Sequence, residues 1–246
     1  MIARQLITGT ALAVISASVT FVALAGPPDI NFDPPAVIVY DNTVNSLGTW
    51  FGTTSLYPGS DVRYEFGDEI LMSGFEGQEL LVIKAFEFAY TTELDFVSTP
   101  DKKWVLNFYA NDGAYIDPDM PQLGRKPMTL LAPSVEGLIE GDGGAYVTLP
   151  ALSFVIPKRF TWTVSFQGLE EGDDVGLDLF NPVAVGSSAD DFWVLEPTGW
   201  VLRELEGGFV PANFYAQVLA IPEPSVLQLG LFASLGAMGL WLIRRK

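Results

Sequence analysis

The sequence predicts an all-β fold: an antiparallel β-sandwich forming one domain, with an apolar helix at each end of the chain. Three observations carry that expectation. Short runs of β-branched and aromatic residues recur along the middle of the chain, and Gly, Pro, Asn and Asp punctuate the gaps between them. Several runs alternate apolar with polar residues, the period of a strand with one buried face. Both ends, by contrast, are long and nearly free of charge.

The first element stands apart from the fold. Residues 1–25 carry one charge, Arg4, and the apolar part closes on Ala23-Leu24-Ala25 before Gly26-Pro27-Pro28. A positive start, an apolar centre and small residues at the exit predict a signal peptide, with Ala23, Ala25 and Gly26 forming the cleavage site. An uncleaved signal anchor is the alternative. Residues 26–35, rich in Pro and Asp, form a short lead-in.

Residues 26–220 are expected to be the exported domain, with no internal boundary or fixed-period repeat. Strands are predicted over 36–40, 69–72, 79–90, 103–110, 145–149, 160–167, 175–180, 192–196 and 209–219. In Phe160-Thr161-Trp162-Thr163-Val164-Ser165-Phe166 every even residue is apolar and every odd one a small hydroxyl. This predicts one buried and one wet face. Phe214, Ala216 and Val218 alternate similarly with their neighbours. The run from Glu79 to Tyr90 changes parity, since Leu81 and Ile83 are odd while Phe86, Phe88 and Tyr90 are even. A bulge near residues 84–86 reconciles the halves; a strand buried on both faces is the alternative. So many short strands in one domain point to a sandwich or barrel and away from a βαβ fold.

The last element is an apolar, membrane-length segment within 221–246. Pro222-Glu223-Pro224 precedes residues 225–243, which carry no charge, and Arg244-Arg245-Lys246 closes the sequence. Nineteen residues at about 1.5 Å each span roughly 28 Å, close to the thickness of a hydrocarbon core. The basic end predicts Lys246 cytoplasmic and the domain outside. A permanent, unprocessed anchor is the alternative. Leu195-Glu196-Pro197-Thr198-Gly199 has the look of a sorting motif, but its proline is misplaced and no apolar segment follows directly, so it reads as a turn.

Composition narrows the chemistry. The 246 residues include no Cys and no His, with 13 Lys and Arg against 30 Asp and Glu, a formal charge of −17. Disulfides, thiolate metal sites, Cys nucleophiles and lipid-bearing cysteines are excluded, as is every His-containing triad. The acidity argues against a nucleic-acid partner. Residues 26–221 hold nine basic and 29 acidic residues, so the domain stands at −20, a charge that favours solubility and a monomer.

Three constellations are candidates for function. Glu65-Phe66-Gly67-Asp68-Glu69 has the carboxylates of a glycoside hydrolase, but the spacing is wrong and the central Gly suggests a turn. Glu170-Glu171-Gly172-Asp173-Asp174 and Asp190-Asp191 read as solvated loops. Asp112, Asp117 and Asp119, with Asn111, crowd one loop and are candidate calcium ligands. Asp173, Asp174 and Asp178 form a second, weaker group. Asn-Asp-Gly and Asp-Pro are also ordinary turn formers. Finally, Trp50, Phe51, Tyr57, Trp193 and Trp200 lie near turns and could stack against sugars, although core packing is the commoner use of such residues.

Pro222-Glu223-Pro224, the following apolar helix and Arg244-Arg245-Lys246 together resemble the PEP-CTERM sorting signal of Gram-negative bacteria. The resemblance covers about the last twenty-five residues. It implies an exosortase-type partner, transient residence in the inner membrane, removal of the tail, and delivery to the cell surface or extracellular matrix. The domain is similar to the jelly-roll-type sandwiches often joined to such tails. Tyr40-Asp41-Asn42, Phe66-Gly67-Asp68-Glu69 and Phe108-Tyr109-Ala110-Asn111-Asp112-Gly113 carry that likeness. The expectation is a non-enzymatic surface protein with no cofactor apart from a candidate calcium. A carbohydrate-binding module for extracellular polysaccharide is the first alternative. A jelly-roll glycoside hydrolase or lyase using paired carboxylates is the second.

Overall fold

Alternating side chains and turn residues fix where the strands run, and hydrogen-bond partners distant in sequence fix how they join. A computed structural model describes residues 35–56, 65–93, 101–119, 124–140, 143–170 and 172–223. The predicted signal peptide, with Ala23, Ala25 and Gly26, lies outside the described residues. So do the 225–243 helix, Pro224, Arg244, Arg245 and Lys246. The strands in chain order are β1 (Val37–Asp41), β2 (Ser46–Gly52), β3 (Glu65–Leu71), β4 (Leu80–Glu93), β5 (Lys103–Ala110), β6 (Thr129–Leu130) and β7 (Val135–Leu138). There follow β8 (Ala145–Pro157), β9 (Arg159–Gln167), β10 (Asp174–Phe180), β11 (Ser187–Ser188), β12 (Asp191–Glu196), β13 (Gly199–Glu204) and β14 (Ala216–Pro222). One helical turn, Thr53–Leu56, follows β2.

The strands form two antiparallel sheets. In the first, β4 is central: β8 lies along one edge, while β14 and β10 share the other, with β1 beyond β14 and β2 beyond β10. In the second the order is β13-β12-β3-β9-β5, with β6 and β7 sharing the outer edge of β5 and β11 beside β12 on β3. The sheets meet through aromatic side chains. Phe86 of β4 contacts Phe108 at 5.0 Å and Trp162 at 5.3 Å between ring centroids, both edge-on. Phe88 meets Trp104 at 5.4 Å, and Phe214 meets Phe66 and Phe192 at 5.8 Å each. Such pairs add about 0.5–1.5 kcal/mol each beyond the area they bury. The all-β antiparallel sandwich is therefore what the sequence predicted.

The parity change in β4 is a bulge. Val218 pairs with Phe86 and Ala220 with Ile83, so β4 spends one extra residue at Lys84–Ala85. Phe86, Phe88, Leu81 and Ile83 consequently all face the core and are fully buried. Asn42 ties the end of β1 into the first sheet. Its side-chain amide is buried and donates to the carbonyls of Phe180 and Phe214, at 3.0 Å each.

Several expectations need correction. Residues 65–68 are strand, not turn: β3 begins at Glu65, and Gly67 is required there because a Cβ would sit 2.0 Å from the Trp162 carbonyl oxygen. β2, β6, β7, β11 and β13 were not foreseen. Each is short or Gly-containing and gains its strand form from a neighbour: β2 from β10, β6 and β7 from β5, β11 from β3 and β13 from β12. The last strand begins at Ala216 instead of Phe209, which is 89% exposed in the irregular stretch after Gly207-Gly208. The hydroxyl face of β9 is not wet: Thr161 and Thr163 are fully buried. β9 is the middle strand of a sheet that curls over that face. Pro197-Thr198 is the expected turn, joining β12 to β13 with Glu196 opposite Gly199.

Candidate functional site

The outer face of the second sheet concentrates the polar and aromatic side chains that the core leaves over. Phe66, Asp68 and Ile70 of β3 point inward, leaving Glu65, Gly67 and Glu69 on the outer face. Trp193 of β12 stands opposite Gly67, which stands opposite Thr163 of β9, which stands opposite Asn107 of β5. The sheet is strongly curled. Tyr109 of β5 packs edge-on against Trp200 of the far-edge strand β13, their centroids 5.2 Å apart, although three strands lie between them. The backbone of β9 fills the space a side chain at Gly67 would take, and the Trp193 indole is buried on the same face.

Two carboxylates on this face have different partners. Glu65 accepts hydrogen bonds from the Asn107 amide at 2.9 Å, from the Thr163 hydroxyl and from Tyr109. Asn107 in turn accepts from Ser134. Burial and the Glu65 charge push the Tyr109 hydroxyl well up, so it stays a donor. Glu65 is thus held as a fixed acceptor. Glu69 accepts from the Trp193 indole N–H at 3.3 Å and pairs with the Arg159 guanidinium at 3.2 Å. Burial raises the Glu69 carboxyl, while Trp193, Arg159 and Asn111 oppose the rise. Thr161 holds Asn111 in place by donating to its side-chain oxygen at 2.8 Å.

Beside Glu69 lies a cavity of about 180 Å³, lined by Glu69, Leu71, Arg159, Ser187 and Ser188 among others. Its walls are mostly polar groups that can both donate and accept. Ser188 connects this cavity with the interior, because its hydroxyl donates to the fully buried Asp68 carboxyl at 2.5 Å. Burial pushes Asp68 well above the usual carboxylate range; Ser188 and the Phe214 backbone N–H pull the other way, and Asp191 and Glu69 push further up. Asp191 itself is raised to about 6 by burial and by the charges of Glu69, Glu204 and Asp190.

The predicted calcium ligands serve the backbone. Asp112 accepts from the Thr129 N–H at 3.0 Å and the Thr129 hydroxyl at 2.6 Å, which holds its pKa down. Asp117 accepts from the Asp119 N–H at 2.8 Å in a tight turn. Among the described residues, no group of three or more acidic side chains is arranged to hold a metal. The second acidic group is dispersed. Asp173 forms a buried ion pair with Lys102 at 2.7 Å, Asp174 caps Thr53 and Thr54, and Asp178 accepts from Thr91 at 2.6 Å.

The candidate aromatics separate between sheets. Phe51 packs into the core against Phe66 and Phe192, and Trp50 sits on β2 opposite Asp178. Trp193 and Trp200 share the curled face, while Tyr57 lies outside the described residues. Of the sorting motif, Pro222 closes β14 opposite Leu81 and Glu223 follows it half-buried. Sequence reasoning missed Arg159, Asn107, Tyr109 and Ser188. Only the hydroxyl alternation of β9 pointed toward this face, since those threonines could have been read as partners for carboxylates. No family model, curated protein or solved structure matches the chain.

Proposed function

We propose that this chain is a non-enzymatic exported protein of the cell surface or extracellular matrix whose curled sheet binds extracellular polysaccharide. The observation that carries the binding reading is the polar cavity beside Glu69 and Arg159, on a sheet whose outer face also carries the Tyr109–Trp200 pair. A carboxylate, a guanidinium and two serine hydroxyls can address neighbouring sugar hydroxyls as acceptor and donors, and half-buried indole surface suits the apolar face of a pyranose. Export and sorting rest on the sequence: a signal peptide over residues 1–25, then a membrane helix and basic end that an exosortase-type enzyme processes at Pro222-Glu223-Pro224. Non-sequential strand neighbours in both sheets support the jelly-roll type, because such connections pass between sheets as in a Greek key.

The absence of a catalytic role is supported by the carboxylate geometry. Glu65 and Glu69 are four residues apart on one strand, about 13 Å along the backbone, beyond the roughly 6.5–9.5 Å of inverting glycosidase pairs. Each is also engaged by its own donors. The enzyme alternative draws on one observation, Asp191 raised to about 6 close enough to Glu69 to feel its charge.

A glycan array probed with the full chain, with and without calcium, tests the reading. Binding to at least one acidic or neutral polysaccharide is expected, weakened tenfold or more by Arg159→Ala and by Trp200→Ala. Calcium-dependent binding lost in Asp112→Ala would assign the metal to the Asp112, Asp117 and Asp119 loop. Failure of the folded protein to bind any glycan would overturn the binding reading, and glycan cleavage on the array would favour the enzyme.

A further inference from the structure

β8 is the longest unshared edge among the described residues. Ala145–Pro157 pairs with β4 along one side, and no other described strand joins its second side. Natural edges of this length are usually blunted by charges, proline or bulges; β8 carries no charge, and its internal proline and its bulge coincide at Pro150–Ala151, leaving the arms on either side open.

Its exposure pattern is a palindrome. Ala145, Val147 and Leu149 are half-buried toward the core, and Tyr146, Thr148 and Pro150 are exposed. After Pro150 comes a second exposed residue, Ala151, and then the order reverses. Leu152 and Phe154 are half-buried and Ile156 is buried, while Ser153 and Val155 are exposed. The inversion sits at the bulge, where Ala85 pairs with Pro150 but Ile83 pairs with Phe154, and where Ala151 takes a φ of +61°.

This symmetry has a geometric consequence. A second β8 running antiparallel, related by a two-fold axis through the Pro150–Ala151 bond, sets Ala145 opposite Ile156, Val147 opposite Phe154 and Leu149 opposite Leu152. Tyr146 then faces Val155, and Thr148 faces Ser153. Every core-facing residue meets a core-facing one, and every exposed residue an exposed one. Residues on one face of an antiparallel strand send their N–H and C=O groups to the same side, so matching faces also aligns donors with acceptors. A slip of one residue would set apolar side chains against exposed positions throughout.

Charge restricts where two copies can meet. Residues 26–221 carry a formal −20, so two copies repel over most of their surfaces. β8 offers an uncharged strip of thirteen residues for close approach. A foreign peptide would need no palindrome; a second copy does.

We propose that β8 pairs antiparallel with β8 of a second copy, joining the two β4-centred sheets into one continuous sheet across a two-fold axis.

The chain has no native cysteine, so engineered thiols report the register directly. In the full chain in detergent, Thr148→Cys combined with Ser153→Cys places thiols opposite each other between copies. Mild oxidation should give a disulfide-linked dimer in most of the protein. Each single variant leaves its two thiols roughly 15 Å apart along the paired strands and should give at least tenfold less dimer. Sedimentation equilibrium of the unmodified chain should return twice the chain mass. The Thr148→Lys, Ser153→Lys variant should return a monomer with an unchanged circular dichroism spectrum. A monomeric unmodified chain at tens of micromolar, or a double-cysteine variant that links no better than the single ones, would overturn the proposal.

Discussion

Asp191 and its acidic neighbours make protonation part of the stability of this fold. Asp191 is raised from 3.8 to about 6, and Asp68, Glu69 and Asp178 are raised in the same direction by burial. A raised carboxyl keeps its proton in the folded state while the unfolded chain releases it. Stability therefore falls as pH rises between the unfolded and folded values, for Asp191 between about 4 and 6. The lowered Asp112 works the other way, but it is exposed and its effect is screened. We expect a higher Tm at pH 5 than at pH 7, with Asp191→Asn raising Tm at pH 7 and flattening the profile. At this size each kcal/mol moves Tm by about 2–4 °C. Calorimetry from pH 4.5 to 7.5 checks this, and a Tm that climbs steadily toward pH 7 would contradict it.

Strand β3 shows how one element serves both sides of the sandwich. Phe66 and Ile70 fill the core, Glu65 and Glu69 furnish the outer face, and Gly67 lets β9 approach closely. An alanine at 67 would bring its Cβ within 2.0 Å of the Trp162 carbonyl oxygen, and the neighbour is backbone, which cannot swing aside. Gly67→Ala should cost about 1–3 kcal/mol or more in urea unfolding and displace Trp193 from beside Glu69, seen as a change in indole fluorescence. An unchanged urea midpoint would show that the sheet relaxes around the methyl group. The residues from Glu65 to Glu69 were legible as chemically special, but only Glu69 was legible as strand. Glycine and acidic residues favour turns locally, and only pairing with β9 and β12 holds this segment extended.

The whole molecule separates a strongly acidic domain from nearly uncharged ends, which on the proposed reading serve export. Intact mass of protein recovered from the cell surface should lack residues 1–25 and the 225–243 helix. Recovery of the full tail on mature protein would overturn processing. If that tail is removed, the chain loses its basic end, and the strongly acidic domain is held in place by its ligand or by a second copy. The concave face and the β8 edge belong to different sheets, so polysaccharide binding and self-pairing can operate together.

By itself the sequence determined the strand-rich character, the parity change in β4, the turn at Pro197-Thr198 and the chemistries that are impossible without Cys or His. Each of these follows from local spacing or from composition, which neighbours cannot alter. The tertiary structure decided which donors hold each carboxylate, because Glu65 and Glu69 differ only in what β5, β9 and β12 bring to them. It also decided that the threonines of β9 are buried, since the curl that sets Tyr109 against Trp200 is a property of five strands together. Long-range pairing creates those environments, and no periodicity along one strand encodes them.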